Sequence, residues 1–498
     1  MPLAVIFLAC FLAVRAFCKR LAVPVQLPLF LAVCAAAFLL RFGYYAAVVF
    51  PARALCGKTH TVSAVVIEAQ PSYNSTANVT LSVRQLDGKR VFWPLRVYVP
   101  QMSAPAAGDY LTGLTLRFES NDGQADSLYS YTKGVYLTAT PLSAPQSTHL
   151  DKGLRSIFAR VQNTLSENIR QSLPQGGAVV AAMSVGDKRW LSAQTKEAYR
   201  AAGISHMLVV SGLHLSAAAS AAYFLGKRLF YKRRAAAALG LFVTVLFMFL
   251  TGFTPSVMRA GVTLLLVNIG MLLSLVPDTV TSLGFAALVL CIANPFAAMD
   301  AGLLLSFSAT LGILACLFYT ERLQKRPLWQ KHPRLFKVFV AVLVSISATL
   351  ATLPVLLYFG MGVSLLSVFC NLLCGALLPI IAFCGFALGL IPPSLTLLTL
   401  PFRAVAGVCT AFLQWIAAGA NAIPWGFVYI GREALVLVFC LYALAYFGFR
   451  MKVKRMPLYL SAFAVLGIVA QMFLARGLVS VSLVGNTQAP PVLIVQDG

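Results

Sequence analysis

The sequence predicts a polytopic α-helical membrane protein with a small β-barrel domain inserted near its N-terminal end. Three observations support this fold class. Hydrophobic residues make up 59% of the 498 residues and charged residues only 11%, well below the roughly 25% charged residues of soluble domains. Apolar segments long enough to cross a membrane recur through the chain. Residues 55–145 break this pattern with short runs rich in Val, Thr, Tyr and Leu.

Residues 1–45 are predicted to form a transmembrane hairpin. Its apolar segments run from Leu3 to Phe17 and from Val25 to Leu40, and Lys19 and Arg20 lie between them. Because basic residues favour the cytoplasmic side of a membrane, the chain after the hairpin is expected on the other side. The first segment lacks a basic lead and an A-x-A cleavage site, so we interpret it as a retained helix and not as a signal peptide.

Residues 55–145 are predicted to form an extracytoplasmic OB-like domain. Asp87-Gly88, between two alternating runs, is a strong hairpin signal. About five strands at this spacing are typical of a small antiparallel barrel of the OB type. OB folds often bind single strands on basic, aromatic surfaces. Aromatic residues also fill small barrels, so the sequence leaves open whether five of them stack on DNA or pack in the core: Phe92, Trp93, Tyr98, Tyr110 and Phe118.

Residues 150–175 are predicted to form an amphipathic helix, on the membrane surface or docking two domains together. Its apolar face carries Leu154, Ile157, Phe158, Val161, Leu165 and Ile169.

Residues 176–478 are predicted to form the main membrane domain. Its candidate spans are Ala235–Phe253, Val257–Val276, Ser282–Met299, Gly302–Tyr319, Val338–Phe359, Leu365–Leu390, Val405–Ile423, Ala434–Phe449 and Leu458–Leu474. With the N-terminal hairpin and the stretch around residue 210, about eleven membrane segments are expected, some of them broken or re-entrant. Residues 479–498 are two short strand-like runs, interpreted as the start of a truncated C-terminal β segment.

The formal net charge of +24 lies mainly in basic clusters between the apolar segments. The clusters are Lys227, Arg228, Lys232, Arg233 and Arg234, then Arg322, Lys325, Arg326, Lys331, Arg334 and Lys337, then Arg450, Lys452, Lys454 and Arg455. Such clusters mark cytoplasmic loops and contact anionic lipids, and they are also compatible with nucleic-acid contact. The eleven scattered cysteines contain no C-x-x-C pair, so neither a disulfide framework nor a metal or cofactor site is predicted.

The stretch from Gly186 to Ser216, GDKRWLSAQTKEAYRAAGISHMLVVSGLHLS, places polar groups where the membrane domain begins. Its apolar second half contains His206, Ser211 and His214, and Gly203 and Gly212 flank its centre. Polar groups at membrane depth usually face a cavity or a transport path. Glycine allows the backbone to leave helical geometry where it does not meet lipid. The sequence therefore predicts a broken or re-entrant element inside a helical bundle.

Catalytic roles for this stretch are weaker alternatives. His206 and His214 have no third ligand beside them, so a metal site is not predicted. Ser211 and His214, at positions i and i+3, have the spacing of a nucleophile and a base, but VSGLH lacks the G-x-S-x-G elbow. We interpret these side chains as hydrogen-bonding groups along a translocation path and keep an intramembrane hydrolase as an alternative.

Four further polar residues lie in or beside the apolar segments: Arg259, Asp278, Asp300 and Asn371. An arginine at membrane depth costs roughly 3 kcal/mol unless it is paired, hydrated or reaches the surface. Asp300 suits a helix N-cap, Asp278 a solvated turn, and Asn371 a hydrogen bond between helices. Each is also a candidate for the lining of a polar path.

From Gly186 to Pro379 these motifs resemble ComEC-type competence proteins. The matching segments are GDKRWL, GISHMLVVSGLHLS, TGFTPSVMRAGV, AGLLLSFSATLGI and ATLATLPVLLYFGMGVSLLSVFCNLL. The resemblance implies a multi-pass channel of the bacterial inner membrane that admits single-stranded DNA during natural transformation. It also implies an N-terminal OB-like domain. Many members add a C-terminal metallo-β-lactamase-like domain, whose H-x-H-x-D-H motif does not occur in this sequence.

The resemblance and the polar pattern together predict the lining of the DNA path and the structural breaks. The expected lining residues are Asp187, Lys188, Arg189, His206, Ser211, His214, Arg259, Asp278, Asp300, Ser306 and Asn371, and the expected breaks are Gly203, Gly212 and Pro354. Thr281, Leu304 and Thr349 stand where the family usually has polar amides. A transporter of another anionic substrate is therefore kept as an alternative, and Ser211 and His214 keep open an intramembrane hydrolase or glycan-lipid enzyme.

Enzymatic chemistry is not required for the expected function. The sequence has no G-x-x-x-x-G-K-[ST] motif, so energy is expected from a cytoplasmic motor ATPase or helicase. The other expected partners are single-stranded DNA, a DNA receptor protein outside the membrane, anionic lipids and a second copy of the chain.

Overall fold

The computed structural model describes residues 36–71, 76–103, 105–121, 127–151, 153–210, 212–273, 279–423, 425–431, 434–450, 480–484 and 492–496. The predicted spans Leu3–Phe17 and Leu458–Leu474 lie outside these residues, as does most of Val25–Leu40. The described chain begins in helix α1, residues 36–53, which contains a π-helical turn at Tyr45–Val49.

A β-rich domain follows α1, as the sequence predicts. Its strands are β1 Thr59–Pro71, β2 Thr76–Leu86, β3 Lys89–Ser103, β4 Asp109–Ser120, β5 Val135–Pro141 and β6 Ser147–Leu150, with the short helix α2 Ser127–Thr132 before β5. Along β2, every second side chain from Ala77 to Val83 is buried, the period of a strand with one face on a core.

The strands close into a barrel. β1 pairs with β2 and with β4, so the order β1-β2-β3-β5-β4 returns to β1, and β6 extends the sheet beside β4. The β3–β5 pairing is parallel, which differs from the all-antiparallel barrel expected from the sequence. Turn residues specify only neighbouring hairpins, whereas β3 and β5 meet through barrel closure. Asp87 and Gly88 both have positive φ and form the tight β2–β3 turn that this residue pair predicts.

The rest of the described chain is mainly helical. Its helices are α3 Leu154–Ser172, α4 Gly177–Ser184, α5 Ala193–Ala201, α6 Gly212–Phe230, α7 Arg233–Leu250, α8 Pro255–Leu272, α9 Thr279–Ala293, α10 Ala301–Gln324, α11 Pro327–Lys331, α12 Pro333–Tyr358, α13 Ser367–Cys374, α14 Leu378–Leu390, α15 Thr396–Asn421 and α16 Ala434–Arg450. Strands β7 Val363–Ser364 and β8 Phe427–Val428 pair with each other, as do β9 Ser480–Val484 and β10 Val492–Gln496.

Five helical segments among the described residues are long and apolar enough to cross a membrane. They are α7, α10, α12, the continuous segment Ser367–Leu390 that contains α13 and α14, and α15. Helices α8 and α9 are apolar but shorter. A membrane protein with a β domain is therefore confirmed, whereas the count of about eleven segments stays a prediction.

One apolar core joins the helices on both sides of the central stretch. It contains Ile169 of α3, Val180 of α4, Tyr199 of α5, Leu388 of α14 and Leu413 of α15. Close packing around such a core fixes the neighbouring loops in place. The loops after α4 and α5, which carry the polar motif residues, are therefore held by the central bundle.

Candidate functional site

The backbone of the central stretch is broken between α5 and α6. Gly203 ends α5 with a φ of +73°, and its amide donates to the Arg200 carbonyl at 2.9 Å. A Cβ at Gly203 would lie 2.5 Å from the Cβ of Ser367 in α13, closer than real side chains approach. A 3-10 helix, Ser205–Leu208, follows, and regular helix resumes at Gly212. Glycine is therefore required where this turn meets α13.

The two histidines of the stretch lie in different surroundings. His206 is exposed on the 3-10 helix, whereas His214, in the first turn of α6, is only 4% exposed. Ser211, between them, lies outside the described residues. Within the described residues, no three His, Cys, Asp or Glu side chains are grouped so that they could hold a metal ion.

Asp187 and Arg189 form a buried ion pair in the loop after α4. Arg189 donates from Nε and Nη2 to the two Asp187 oxygens at 2.8 Å each, and Ser166 Oγ of α3 donates to Asp187 at 2.6 Å. Burial raises the pKa of Asp187, but hydrogen bonds from Arg189 and Ser166 lower it by more, so the pKa lies below its usual 3.8. The pair neutralises its own charge and ties the loop to α3.

Lys188, between these two residues, is exposed and belongs to a different group. We name this group the basic vestibule, because it lies where the barrel meets the membrane domain. Its members are Arg84 of β2, Arg96 of β3, Lys133 before β5, Arg155 of α3 and Lys188. Arg84, Arg155 and Lys188 are exposed, and Arg96 and Lys133 are half-buried. The vestibule is therefore open to water.

Burial and, after it, the charges of neighbouring cations lower the pKa of two members of the vestibule. Burial, and then the charges of Arg96 and Arg84, lower the pKa of Arg155. Burial, and then the charge of Lys133, lowers the pKa of Lys188. Like charges repel at short range, and an anion between them would relieve the repulsion.

Lys133 is held at the centre of the vestibule by several contacts. Arg96 Nη1 donates to the Lys133 carbonyl at 2.8 Å, and the Lys133 ammonium lies 4.6 Å from the centre of the Tyr129 ring. Burial alone would lower the pKa of Lys133, but Tyr129, Glu68 and Asp300 raise it. The exposed carboxylate of Glu68 thus contributes negative charge to the vestibule.

Strand geometry explains why the barrel presents these cations together. In β3, Leu95, Val97 and Val99 are buried, so Arg96 and Tyr98 fall on the opposite face of the strand. In the register of β2 with β3, Ser82 is opposite Arg96. The outer β2–β3 face therefore carries the barrel's share of the vestibule.

The barrel docks on the turn between α9 and α10. Asn294 Nδ2 donates to the carbonyls of Tyr131 at 3.1 Å and Thr132 at 2.8 Å. The Phe296 ring packs against Tyr131 with centroids 5.4 Å apart, and Arg41 of α1 lies 5.7 Å from the Phe296 centroid. These contacts fix the barrel above the membrane domain.

Asp300 and Arg259 meet beside this docking surface. The Leu303 amide donates to Asp300 Oδ1 at 2.7 Å, so Asp300 is the N-cap of α10, and Thr132 Oγ1 of α2 donates to Oδ2 at 3.3 Å. Arg259 is only 9% exposed and donates from Nη1 to the Gly302 carbonyl at 3.5 Å. Asp300 thus links the barrel, the α10 terminus and the buried Arg259 charge.

The remaining predicted residues are spread over the membrane helices. Ser306 lies in α10 and Pro354 lies inside α12. Asn371 of α13 is half-buried, and its Oδ1 has no hydrogen-bond donor among the described residues. A Cβ at Gly212 would lie 2.9 Å from the Cβ of Ala260, so this position marks a close approach of α6 to α8. Asp278 lies outside the described residues.

The sequence prediction missed four of the five vestibule cations. Arg84, Arg96, Lys133 and Arg155 lie outside the motif segments, in the barrel and the helix that follows it. The one local signal is alternation: in RVFWPLRVYV, Arg96 stands between two apolar core positions, so it must face outward. Their grouping with Lys188 depends on how the barrel docks.

Two comparisons connect the chain with known proteins. The family model described as Competence protein matches residues 183–455, more than half of the chain. ComE operon protein 3 of Bacillus subtilis (strain 168) is 29% identical over 211 residues, which cover 42% of this chain and 25% of that protein. The alignment therefore spans about a quarter of the length of this relative. No solved structure matches the chain.

Proposed function

The chain belongs to the Competence protein family, and from this premise we propose that it conducts single-stranded DNA across a bacterial inner membrane during natural transformation. The observation that carries the proposal is the basic vestibule. Five cations from separate parts of the sequence meet there beside the docked barrel: Arg84, Arg96, Lys133, Arg155 and Lys188.

A phosphate strand fits this arrangement on electrostatic grounds. Each phosphate brings a negative charge that is costly to move toward low dielectric unless cations offset it. Three of the cations, Arg84, Arg155 and Lys188, are exposed, so contacts with them are screened by salt and stay reversible. Reversible binding suits conduction, because a conducted strand must leave each site as readily as it enters.

In this proposal the DNA strand binds the OB-like barrel before it reaches the membrane domain. Five of its strands form a closed sheet. Its outer β2–β3 face carries Arg96 and Tyr98 and corresponds to the surface on which OB folds bind oligonucleotides. An aromatic ring beside a guanidinium stacks on any base, so the contact does not depend on sequence. The strand would pass from this face to Lys188 at the membrane domain.

The membrane path follows the predicted polar residues. His206 is exposed on the interrupted backbone, whereas the Oδ1 of Asn371 on α13 is buried without a hydrogen-bond donor among the described residues. In this proposal His206 lines the route, Arg259 holds the α10 end beside it, and the Asp187–Arg189 pair supports the loop that carries Lys188. The chain acts as a conduit and not as an enzyme. A cytoplasmic motor ATPase or helicase supplies the force, and a receptor outside the membrane delivers the DNA.

Graded charge changes in the vestibule test the proposal. We expect Arg155→Gln with Lys188→Gln to reduce uptake of labelled DNA several-fold, and Arg155→Glu with Lys188→Glu to reduce it by about tenfold or more, because each lost cation weakens phosphate binding. Uptake is measured in cells that carry the variant as their sole copy, at equal abundance in the membrane. The matched control is Arg117→Glu, an exposed cation on β4 outside the vestibule.

The same cells separate the alternatives. Normal DNA uptake by both double variants would refute the role of the vestibule. Loss of another anion's uptake, with DNA uptake intact, would identify a transporter of a different substrate. An intramembrane hydrolase instead predicts that Ser211→Ala abolishes function and that a serine-directed probe labels the native protein.

A further inference from the structure

The tip of the β2–β3 hairpin carries an aromatic side chain that contacts little of the protein. Phe92 is 91% exposed, although burial of a phenylalanine stabilises most folds. Lys89 and Arg90, its neighbours on β3, are also exposed. A ring exposed between cations is costly in water, so this tip is a candidate for an external contact.

The tip is rigid and keeps its positive charge. Asp87, in the turn, accepts hydrogen bonds from His60 Nδ1 at 2.6 Å and from the Thr61 amide at 2.9 Å. The Asp87 amide donates back to the Thr61 carbonyl at 2.8 Å. The one carboxylate of the described turn is therefore hydrogen-bonded to β1, although it also interacts electrostatically with Lys89.

Two observations relate the base of the hairpin to the membrane domain. His60 and Thr61, which hold the turn, lie a few residues after α1, the helix that leads out of the N-terminal apolar segment. Arg84, just before the turn, lies near Arg155, whose guanidinium carbon is 5.1 Å from the centre of the Phe253 ring. Phe253 occupies the turn between the apolar helices α7 and α8.

Helix α3 adds an apolar stripe beside Arg155. Leu154, Ile157 and Val161 are 62%, 41% and 42% exposed, and their i, i+3, i+7 spacing places them on one helical face. The second half of the same helix buries Leu165 and Ile169 in the central core. The exposed half therefore extends beyond the core, on the part of α3 that carries Arg155.

We propose that the hairpin tip and the first turns of α3 form a contact with the anionic lipid surface of the membrane in which the chain resides. Phe92, Leu154 and Ile157 enter the interface between headgroups and acyl chains, and Lys89 and Arg90 bind lipid phosphates. Amphipathic surfaces that combine aromatic and aliphatic residues with cations bind membranes in this way.

The aliphatic residues favour lipid over nucleic acid as the occupant. Bases stack on aromatic rings and guanidinium planes, but Leu154 and Ile157 offer neither a flat face nor a hydrogen bond. Lipid accepts all three apolar side chains at once. The contact would hold the barrel at a fixed height above the membrane domain, with the vestibule kept open beside it.

Photo-crosslinking of the full chain tests the contact. Phe92→p-benzoylphenylalanine keeps an aromatic ring at the tip and, in proteoliposomes containing phosphatidylglycerol, should yield a phospholipid adduct seen by mass spectrometry. We expect several-fold less adduct in zwitterionic vesicles, and a similar decrease when Lys89→Gln and Arg90→Gln are added. The control is Leu142→p-benzoylphenylalanine, an exposed position beside the opposite end of β3, which should give little adduct.

Each other outcome overturns the inference. Equal adduct yields at positions 92 and 142, or equal yields in anionic and zwitterionic vesicles, would mean that the tip does not recognise an anionic surface. Adducts with an added single-stranded oligonucleotide in place of lipid would assign the tip to the DNA route. Because the measurement involves no transport, failure of the DNA-conduit proposal would leave its result unchanged.

Discussion

Neighbouring residues of one motif have different physical roles in this protein. In GDKRWL, Asp187 and Arg189 neutralise each other in a buried pair, whereas Lys188 between them is exposed in the basic vestibule. The difference follows from what surrounds each side chain. Ser166 and Arg189 satisfy the carboxylate, whereas burial and then the charge of Lys133 lower the pKa of Lys188, which a bound anion would offset.

The Asp187 pair should stabilise the protein in a pH-dependent way. We expect Asp187→Asn to lower the free energy of unfolding by about 2 kcal/mol at neutral pH, because Arg189 is left partly buried without its partner. The folded pKa of Asp187 is depressed. Its contribution is therefore present above the ordinary aspartate pKa of about 4 and is lost as pH falls through the lower folded value.

Thermal unfolding in detergent at several pH values measures this effect. The gap between native protein and Asp187→Asn should narrow as the pH drops below about 4. Glu197→Gln is the control, because Glu197 pairs with Arg200 at 3.8 Å on an exposed helix face, where such pairs add little. Equal stability of native protein and Asp187→Asn at neutral pH would contradict a structural role for the pair.

At the scale of elements, the break between α5 and α6 is the feature on which the proposed membrane route depends. Residues 199–216 do not form a continuous helix, because α5 ends at Ala201 and regular helix resumes at Gly212. The turn exists because Gly203 adopts a positive φ and because α13 leaves no room for a Cβ.

Two glycine substitutions separate backbone strain from packing at this break. Gly203→Ala and Gly360→Ala both force alanine to a positive φ, which costs about 1 kcal/mol, but only Gly203 lacks space for the new methyl group. We expect Gly203→Ala to destabilise the protein by about 1–3 kcal/mol more than Gly360→Ala. We also expect it to reduce DNA uptake selectively, measured at equal abundance. Equal effects of the two variants would show that α13 shifts to make room for the new methyl group at little cost in stability.

At the scale of the whole molecule, side-chain contacts join the barrel to the membrane domain. Asn294 and Phe296 hold α2, and Asp300 connects this contact to the start of α10. The barrel therefore contacts the turn between α9 and α10 and lies beside the loop that carries Lys188. Docking on this turn is compatible with an extracytoplasmic barrel only if the α9–α10 turn is also outside and the basic α10–α12 connection is inside.

Reporter fusions test that topology. Alkaline phosphatase fused after residue 145 should be active, and the same enzyme fused after residue 326 should be inactive, because Arg322, Lys325 and Arg326 favour the cytoplasm. A cytoplasmic fluorescent reporter should show the opposite pattern. Activity of alkaline phosphatase at both sites would invert the assignment of the α10–α12 connection and remove the proposed direction of DNA entry.

Some features of the fold and the site could be predicted from the sequence because local physics sets them. The Asp87-Gly88 turn needs two residues that tolerate positive φ, the α10 N-cap needs an acceptor such as Asp300, and the membrane helices need long apolar runs. The parallel β3–β5 pairing could not be predicted in this way, since no short stretch of sequence encodes it.

The sequence by itself determined that this chain is a membrane protein of the competence type, with a β-rich insertion and a broken polar stretch. Only the tertiary structure decided which charges are available to a ligand. Arg84, Arg96, Lys133, Arg155 and Lys188 become one vestibule, and Arg189 is withdrawn into an ion pair. The reason is that charge interactions and desolvation depend on distances in space, and barrel docking sets those distances between residues far apart in sequence.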